Sequence, residues 1–98
     1  MVVGAGAAGV EMATCLKERF SKTFANKPSV SFHFTIINSH TSLNESLESP
    51  QLGSAVAEAL FSRGINVIHN SKAVKVEQGK VHISSGSVID FNLLLWVP

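Results

Sequence analysis

The chain has 98 residues, a formal net charge of +1 and an apolar fraction of 45%. This length predicts one small domain with enough apolar residues for a core, and the near-neutral charge argues against a nucleic-acid partner. A single cysteine excludes an internal disulfide and a cysteine zinc cluster. No apolar run reaches the roughly 20 residues that span a bilayer, and no signal peptide precedes the first strand pattern, so we expect a cytoplasmic location.

The chain opens with a short apolar run and then a glycine-rich loop. Met1, Val2 and Val3 predict the end of a buried strand, and a helix pattern begins directly after the loop. The loop matches G-x-G-x-x-G, which binds the pyrophosphate of a dinucleotide when it joins a strand to a helix. The free N–H groups and positive dipole end of that helix favour an anion. The predicted phosphate-binding residues are Gly4, Ala5, Gly6, Ala7, Ala8 and Gly9.

A helix and a second strand follow the loop. Apolar residues at helical spacing predict a helix from Ala7 to about Phe20 or one turn further, with Cys15 as a small buried residue. The apolar residues from Val30 to Ile37 predict a strand, alternating at first and continuously apolar at its end. Such a strand is buried on both faces of its sheet.

The next segment, residues 38–48, lacks periodicity and is predicted to be a loop. Ser49 and Pro50 predict a helix start, and Arg63 followed by Gly64 predicts its end. An apolar stripe should face the core from this helix, formed by Leu52, Ala55, Val56, Ala59 and Leu60. Residues 65–68 then predict a short buried strand.

The last third of the chain has a strand pattern throughout. Three alternating segments, residues 73–77, 81–84 and 87–91, are separated by turns at Gly79 and Gly86 and predict an antiparallel meander. The apolar run 93–97 predicts a return to the parallel sheet. Trp96 could border the nucleotide pocket, but packing in the core is the preferred prediction. The fold class is therefore α/β: a Rossmann-like three-layer domain whose parallel sheet has a three-stranded antiparallel β-meander as one crossover. The abrupt ends predict that residues 1–98 are one domain of a longer chain.

Candidate catalytic and metal-binding residues are sparse. The four histidines have no ligand spacing, so no metal site is predicted. His33 and His82 should face solvent from alternating strands. No catalytic serine, cysteine or carboxylate pair stands out.

Taken together, the motifs resemble the NAD(P)H-binding domain of the FAD-dependent pyridine nucleotide-disulfide oxidoreductases, with the type II NADH dehydrogenases and apoptosis-inducing-factor-like flavoproteins as the nearest branch. The resemblance rests on GAGAAGVE at residues 4–11, RGINVI at 63–68 and a meander closing on LLLWVP at 93–98. Val97 and Pro98 stand where this family usually has Ala-Thr before a glycine.

The resemblance implies a division of labour within a longer protein. This domain binds NAD(P)H, hydride passes to an FAD bound mainly outside residues 1–98, and the partner is the FAD-binding domain of the same parent chain. It also implies that Glu11 lies near the nicotinamide–flavin contact, although a favourable interaction with the helix dipole from the first turn explains Glu11 equally well. Peripheral membrane attachment of the parent is compatible with the family, and the isolated domain should be inactive.

The largest departure from the family is Asn38 at the end of the second predicted strand. The family usually has an acid there, which binds the adenine-ribose hydroxyls of NADH. Asn38 can bond a ribose hydroxyl without repelling a 2′-phosphate, and Ser39 and His40 can donate to one. NADH, NADPH and weak binding all stay open. The alternatives are an FAD-binding Rossmann domain and a non-catalytic interaction module with a decayed nucleotide site.

Overall fold

A computed structural model describes residues 1–27, 32–49 and 51–97. Val30, Pro50 and Pro98, which the sequence places in a strand, a helix start and the closing motif, lie outside these described residues. The elements are β1 (Val2–Val3), α1 (Ala7–Thr23), β2 (Phe34–Ile37), α2 (Leu43–Ser46), α3 (Leu52–Ser62), β3 (Ile65–Ile68), β4 (Ala73–Glu77), β5 (Lys80–Ile83), β6 (Val88–Asp90) and β7 (Leu95–Trp96).

Two sheets organise the domain. The first is parallel, in the order β3-β2-β1-β7, and the second is antiparallel, in the order β4-β5-β6. The parallel sheet arises because α1 and α3 serve as crossovers, while the meander replaces a helix between β3 and β7. The predicted α/β class and Rossmann-like topology are confirmed.

The parallel sheet lies between the helices and the meander. Successive residues of a strand point to opposite faces, so Val2 and Ile36 pack with Ala13 of α1 and Leu60 of α3. On the other face, Val3 and Ile37 pack with Val81 and Ile83 of β5. Burial of one such aliphatic side chain contributes about 1.5–3 kcal/mol, and the two cores together fix the carboxyl ends of β1 and β2.

Helix α1 confirms the predicted span, but the prediction for Cys15 is wrong. The apolar stripe of α1 faces the sheet through Val10, Ala13, Leu16 and Phe20. Cys15 is exposed, because two residues beyond Ala13 correspond to a rotation of about 200° around the helix.

The predicted loop at residues 38–48 is also wrong, because it contains the short helix α2. The Ser42 hydroxyl accepts a hydrogen bond from the Glu45 N–H at 3.3 Å. Ser42 and Glu45 are three residues apart, which is the spacing of a capping box. A helix of four residues is too short for its apolar period to be visible in the sequence.

Helix α3 begins at Leu52, and the Ser49 hydroxyl accepts the N–H of that residue at 3.1 Å. The predicted stripe is partly wrong, since Leu52 is 51% exposed and Ala55 is exposed. Gly53 is buried instead, because its missing side chain lets α3 approach the backbone of Asn44 in α2. The predicted end of the helix is confirmed, and Gly64 has a left-handed φ of 71°.

Strand β7 is shorter than predicted and Trp96 does not pack in the core. Trp96 is 57% exposed and Leu93 is 48% exposed, since β7 lies at an edge of the sheet and pairs only with β1 among the described strands. Strand β2 likewise begins at Phe34, and Phe32 packs outside it against Phe20 and Phe24 with ring centroids 5.2 and 5.1 Å away.

The meander matches its prediction closely. Its turn glycines, Gly79 and Gly86, have left-handed φ values of 75° and 95°, a conformation that glycine adopts without a steric cost. His33 is exposed as predicted, whereas His82 is partly buried and contacts Glu77 at 3.2 Å. Within residues 1–27, 32–49 and 51–97, no helix is both long and apolar enough to cross a membrane.

Candidate functional site

The glycine loop leaves β1 by a turn that requires glycine at its first position. Gly4 has a left-handed φ of 118°, and a Cβ there would overlap the carbonyl oxygen of Val97 at the end of β7. Its N–H donates to the carbonyl of Ile37 at 3.0 Å. Gly4 is therefore fixed between the ends of both neighbouring strands.

Gly9 and Gly6 have different roles. Gly9 is buried in α1, where a Cβ would overlap the carbonyl oxygen of Gly4, so its role is close packing of helix against loop. At Gly6 a Cβ would meet no atom within 4 Å, and its φ of −72° is accessible to any residue. Because the fold does not require glycine at this position, the open space beside Gly6 is the part of the loop suited to a ligand.

Helix α1 directs its amino terminus at this open space. Gly6 is the N-cap residue and makes no side-chain cap, so the first-turn N–H groups lack the usual side-chain acceptor. These groups carry the equivalent of about half a positive charge. An anion at this position would accept their hydrogen bonds.

A cavity of about 460 Å³ lies at the carboxyl ends of the parallel strands, beside the loop. It includes the ends of β1, β2 and β7 and the segment after β3. Its lining residues are Val3, Gly4, Ala5, Gly6, Ile37, Asn38, Ser39, His40, Ser46, Ser71, Lys72, Ala73, Trp96 and Val97.

Most of the residues predicted from the sequence meet at this cavity. Six of them line it: Gly4, Ala5, Gly6, Asn38, Ser39 and His40. Ala7, Ala8 and Gly9 form the first turn of α1 beside it. Glu11 does not line the cavity, and its predicted first-turn position is wrong, because α1 begins at Ala7 and has no acidic residue in its first turn.

Asn38 is fully buried, and its side chain holds two loops together. Its Oδ1 accepts the His40 N–H at 3.1 Å, while Nδ2 donates to the Ser42 carbonyl at 3.2 Å and lies 3.1 Å from Nδ1 of His69. Nδ2 has two hydrogens: one goes to the Ser42 carbonyl, and the second goes to His69 when Nδ1 of that ring is unprotonated. In that tautomer the side chain has no hydrogen left to donate to a ligand in the cavity.

We expect Asn38→Asp to destabilise the domain by about 1–3 kcal/mol, the cost of leaving buried polar groups unpaired. The substitution replaces a donor with an oxygen opposite the Ser42 carbonyl and the His69 nitrogen. Urea denaturation monitored by circular dichroism measures the effect. Asn26→Asp, at an exposed turn residue, is the matched control and should change stability little. Equal stability of the two variants would show that the Asn38 contacts are not required.

An acidic residue lies near the cavity but is bonded to its own loop. Glu45 accepts from the Thr41 hydroxyl at 2.6 Å and lies 3.1 Å from Nδ1 of His40. The Thr41 hydrogen bond, followed by the His40 contact, lowers the pKa of Glu45 below its usual value. Glu45 is therefore ionised with each oxygen already contacted.

Sequence reasoning missed Ser71 and Lys72, and for Trp96 it preferred the core to the border of the pocket, where the structure places this residue. All three follow from topology, because the carboxyl ends of parallel strands meet at one edge of the sheet and these residues lie at or after the ends of β3 and β7. Among the described residues, no three His, Cys, Asp or Glu side chains lie close enough to hold a metal ion.

A second cavity of about 270 Å³ lies at the opposite edge of the sheet. It is lined mainly by apolar residues near the amino ends of β1 and β2, among them Val2, Phe20 and Phe34. Ligands of such sheets bind at the carboxyl ends of the strands. The glycine-loop cavity is therefore the candidate functional site.

The parallel sheet, the strand–glycine loop–helix unit and the cavity at the strand ends define a Rossmann-like dinucleotide-binding fold. The chain belongs to the pyridine nucleotide-disulphide oxidoreductase family, whose model matches residues 1–97. Members of this family are flavoprotein oxidoreductases that depend on NAD(P)H. A comparison with curated protein sequences finds no match.

Solved structures share this fold at low sequence identity. NDH2 from Plasmodium falciparum, in complex with NADH, is 22% identical with a TM-score of 0.86, covering 98% of this chain and 21% of that one. A sulfide:quinone oxidoreductase from Aquifex aeolicus is 18% identical with a TM-score of 0.78, covering 99% and 25%. A ferredoxin reductase from Rhodopseudomonas palustris is 17% identical with a TM-score of 0.76, covering 98% and 22%. The chain thus spans about a quarter or less of these proteins.

Proposed function

We propose that this domain binds NAD(P)H and presents its nicotinamide to an FAD held by the remainder of a longer flavoprotein. The observation that carries the proposal is the open space at Gly6, which faces the amino terminus of α1 and the cavity. When bound, the nucleotide supplies a hydride. The chain itself binds and orients the nucleotide.

The topology supports this position for a dinucleotide. Strand β1 pairs with β2 on one side and with β7 on the other. The next two strands of the chain, β2 and β3, therefore lie on one side of β1, and the last strand, β7, lies on the opposite side. Open parallel sheets bind dinucleotides in the crevice at such a switch point. The Val97 carbonyl and Gly4 lie at this crevice, and the NDH2 structure with the same fold holds NADH.

The residues fit a dinucleotide in two parts. The glycine loop and the first turn of α1 suit the pyrophosphate, since backbone N–H groups there have no side-chain acceptor. Polar groups at the ends of β2 and β3, including Ser39 and His40, suit the adenosine. The exposed face of Trp96 provides an aromatic surface at the end of β7.

The second candidate is FAD binding, because FAD also contains a pyrophosphate and the glycine loop suits the pyrophosphate of either nucleotide. A third is an interaction module that has lost its nucleotide, which the engaged side chain of Asn38 favours. The three differ in which nucleotide stabilises the folded chain.

The test is a thermal unfolding titration of the 98-residue chain with NADH, NADPH and FAD. A ligand at one hundred times its Kd adds about 2.7 kcal/mol to the stability of the folded state. We expect stabilisation by at least one reduced nicotinamide nucleotide and no oxidation of it by the chain alone. Stabilisation by FAD alone would establish the second candidate, and no stabilisation by any nucleotide would establish the third.

A further inference from the structure

The residues that line the cavity include one permanent cation and no acid. The cation is Lys72, the one histidine is His40, whose Nδ1 contacts Glu45, and none of the described lining residues is an aspartate or glutamate. A ribose with free 2′- and 3′-hydroxyls is recognised by a carboxylate, and a 2′-phosphate is recognised by cations and hydrogen-bond donors. The lining has the composition suited to the phosphate.

Lys72 extends from a fixed backbone. The preceding N–H, of Ser71, donates to the Asn38 carbonyl at 2.9 Å. The N–H of Lys72 donates to the Ser84 hydroxyl at 3.0 Å, and its carbonyl accepts the Ser84 N–H at 2.8 Å. The backbone at Lys72 is therefore attached to the residue after β2 on one side and to the residue after β5 on the other.

The loop after β3 is also attached to the loop after β2. The N–H of Asn70 donates to the His40 carbonyl at 2.8 Å, with Asn70 in a left-handed conformation at φ 53°. The Asn38 side chain adds its contact with His69. These bonds keep His40 and Lys72 at one end of the cavity.

The nearest acid does not supply the missing carboxylate. Both Glu45 oxygens are contacted, by Thr41 and His40, and Glu45 is not among the lining residues. The Asn38 side chain is fully buried, its Oδ1 already accepts the His40 N–H, and it has no carboxylate charge with which to bind the ribose hydroxyls.

We propose that Lys72, together with Ser39 and His40, binds the 2′-phosphate of NADPH and makes this domain selective for NADPH over NADH. Asn38 is then a positioning residue that joins the two loops and does not itself contact the ribose. The proposal rests on the proposed nucleotide-binding function and names the cofactor that this function uses.

The test measures the Kd of NADPH and NADH for the 98-residue chain, and for Lys72→Gln, by nucleotide fluorescence. A charge-assisted hydrogen bond corresponds to roughly a ten- to hundredfold change in affinity. We expect NADPH to bind at least tenfold more tightly than NADH. Lys72→Gln should weaken NADPH about tenfold or more and change NADH less than twofold.

Lys80→Gln is the matched control, because Lys80 is an exposed lysine of the meander that does not line the cavity. It should leave both constants unchanged. Competition by adenosine 2′,5′-bisphosphate and by AMP isolates the adenosine end, and Lys72→Gln should weaken only the bisphosphate.

The outcomes separate the two proposals. Binding of both nucleotides with equal affinity, or tighter binding of NADH, would overturn NADPH selectivity and leave the nucleotide-binding function standing. An equal loss of affinity for NADPH and NADH in Lys72→Gln would also overturn NADPH selectivity, since the lysine would then not recognise the 2′-phosphate. If neither nucleotide binds the unmodified chain, the proposed function fails and the selectivity fails with it.

Discussion

Gly9→Ala is expected to destabilise the domain by about 3 kcal/mol or more, the upper end of the usual cost of overpacking. The added methyl would overlap the carbonyl oxygen of Gly4, and it would lie near the Val2 side chain. The clash would be with a backbone atom of the loop, so no side-chain rotation could relieve it. The helix has to move away from the sheet, which separates Ala13 from the core.

Such a loss is large for a domain of 98 residues, because small domains bury a smaller fraction of their surface and natural stabilities are about 5–15 kcal/mol. Urea denaturation followed by circular dichroism measures it. Gly6→Ala is the matched control, since it adds the same methyl three residues earlier where no atom lies within 4 Å. Similar stabilities for the two variants would contradict the close packing of α1 against the loop.

Several elements could be predicted from the sequence because their signals are local. Strand β3 follows Gly64, which ends α3 with a left-handed residue, and its bounds match the prediction. The predicted burial of β3 holds only for Ile65, because β3 lies at an edge of the sheet. Strand β4 also has its predicted bounds, since alternation and the turn at Gly79 both lie within a few residues. The bounds of an element can therefore be predicted from the sequence when local turn residues determine them.

Other features depend on neighbours that the sequence does not reveal. The apolar run 93–97 predicts a buried strand, yet Trp96 is exposed because β7 lies at an edge of the sheet. Gly53, rather than Leu52, faces the core because α2 approaches it through Asn44. Apolar periodicity measures the composition of an element, whereas burial depends on what packs against it.

The candidate site shows the same division. The sequence motif identifies the glycine loop, but it does not distinguish the roles of the three glycines. In the structure, backbone contacts require glycine at Gly4 and Gly9 and do not require it at Gly6. Asn38 was identified by its position at the end of β2, and its hydrogen bonds to His40, Ser42 and His69 require the folded loops. Motif position predicts where a site lies, and tertiary contacts decide which side chains are free to bind.

Gly6→Val is expected to abolish nucleotide binding while the domain stays folded. The side chain would extend into the cavity at the amino terminus of α1, the space that the pyrophosphate is proposed to occupy. A steric block there also prevents the first-turn N–H groups from reaching the anion, so we expect at least a hundredfold loss of affinity. Valine at the N-cap costs on the order of 1 kcal/mol of stability, far less than the expected effect of Gly9→Ala.

Affinity is measured with the nucleotide that stabilises the unmodified chain, and folding with circular dichroism and urea. Ala57→Val is the matched control because Ala57 is an exposed alanine of helix α3 that does not line the cavity. It adds the same valine side chain away from the glycine loop and should retain binding. Unchanged affinity in a folded Gly6→Val variant would show that the open space at Gly6 does not receive the phosphates, because a branched side chain and a pyrophosphate cannot occupy it together.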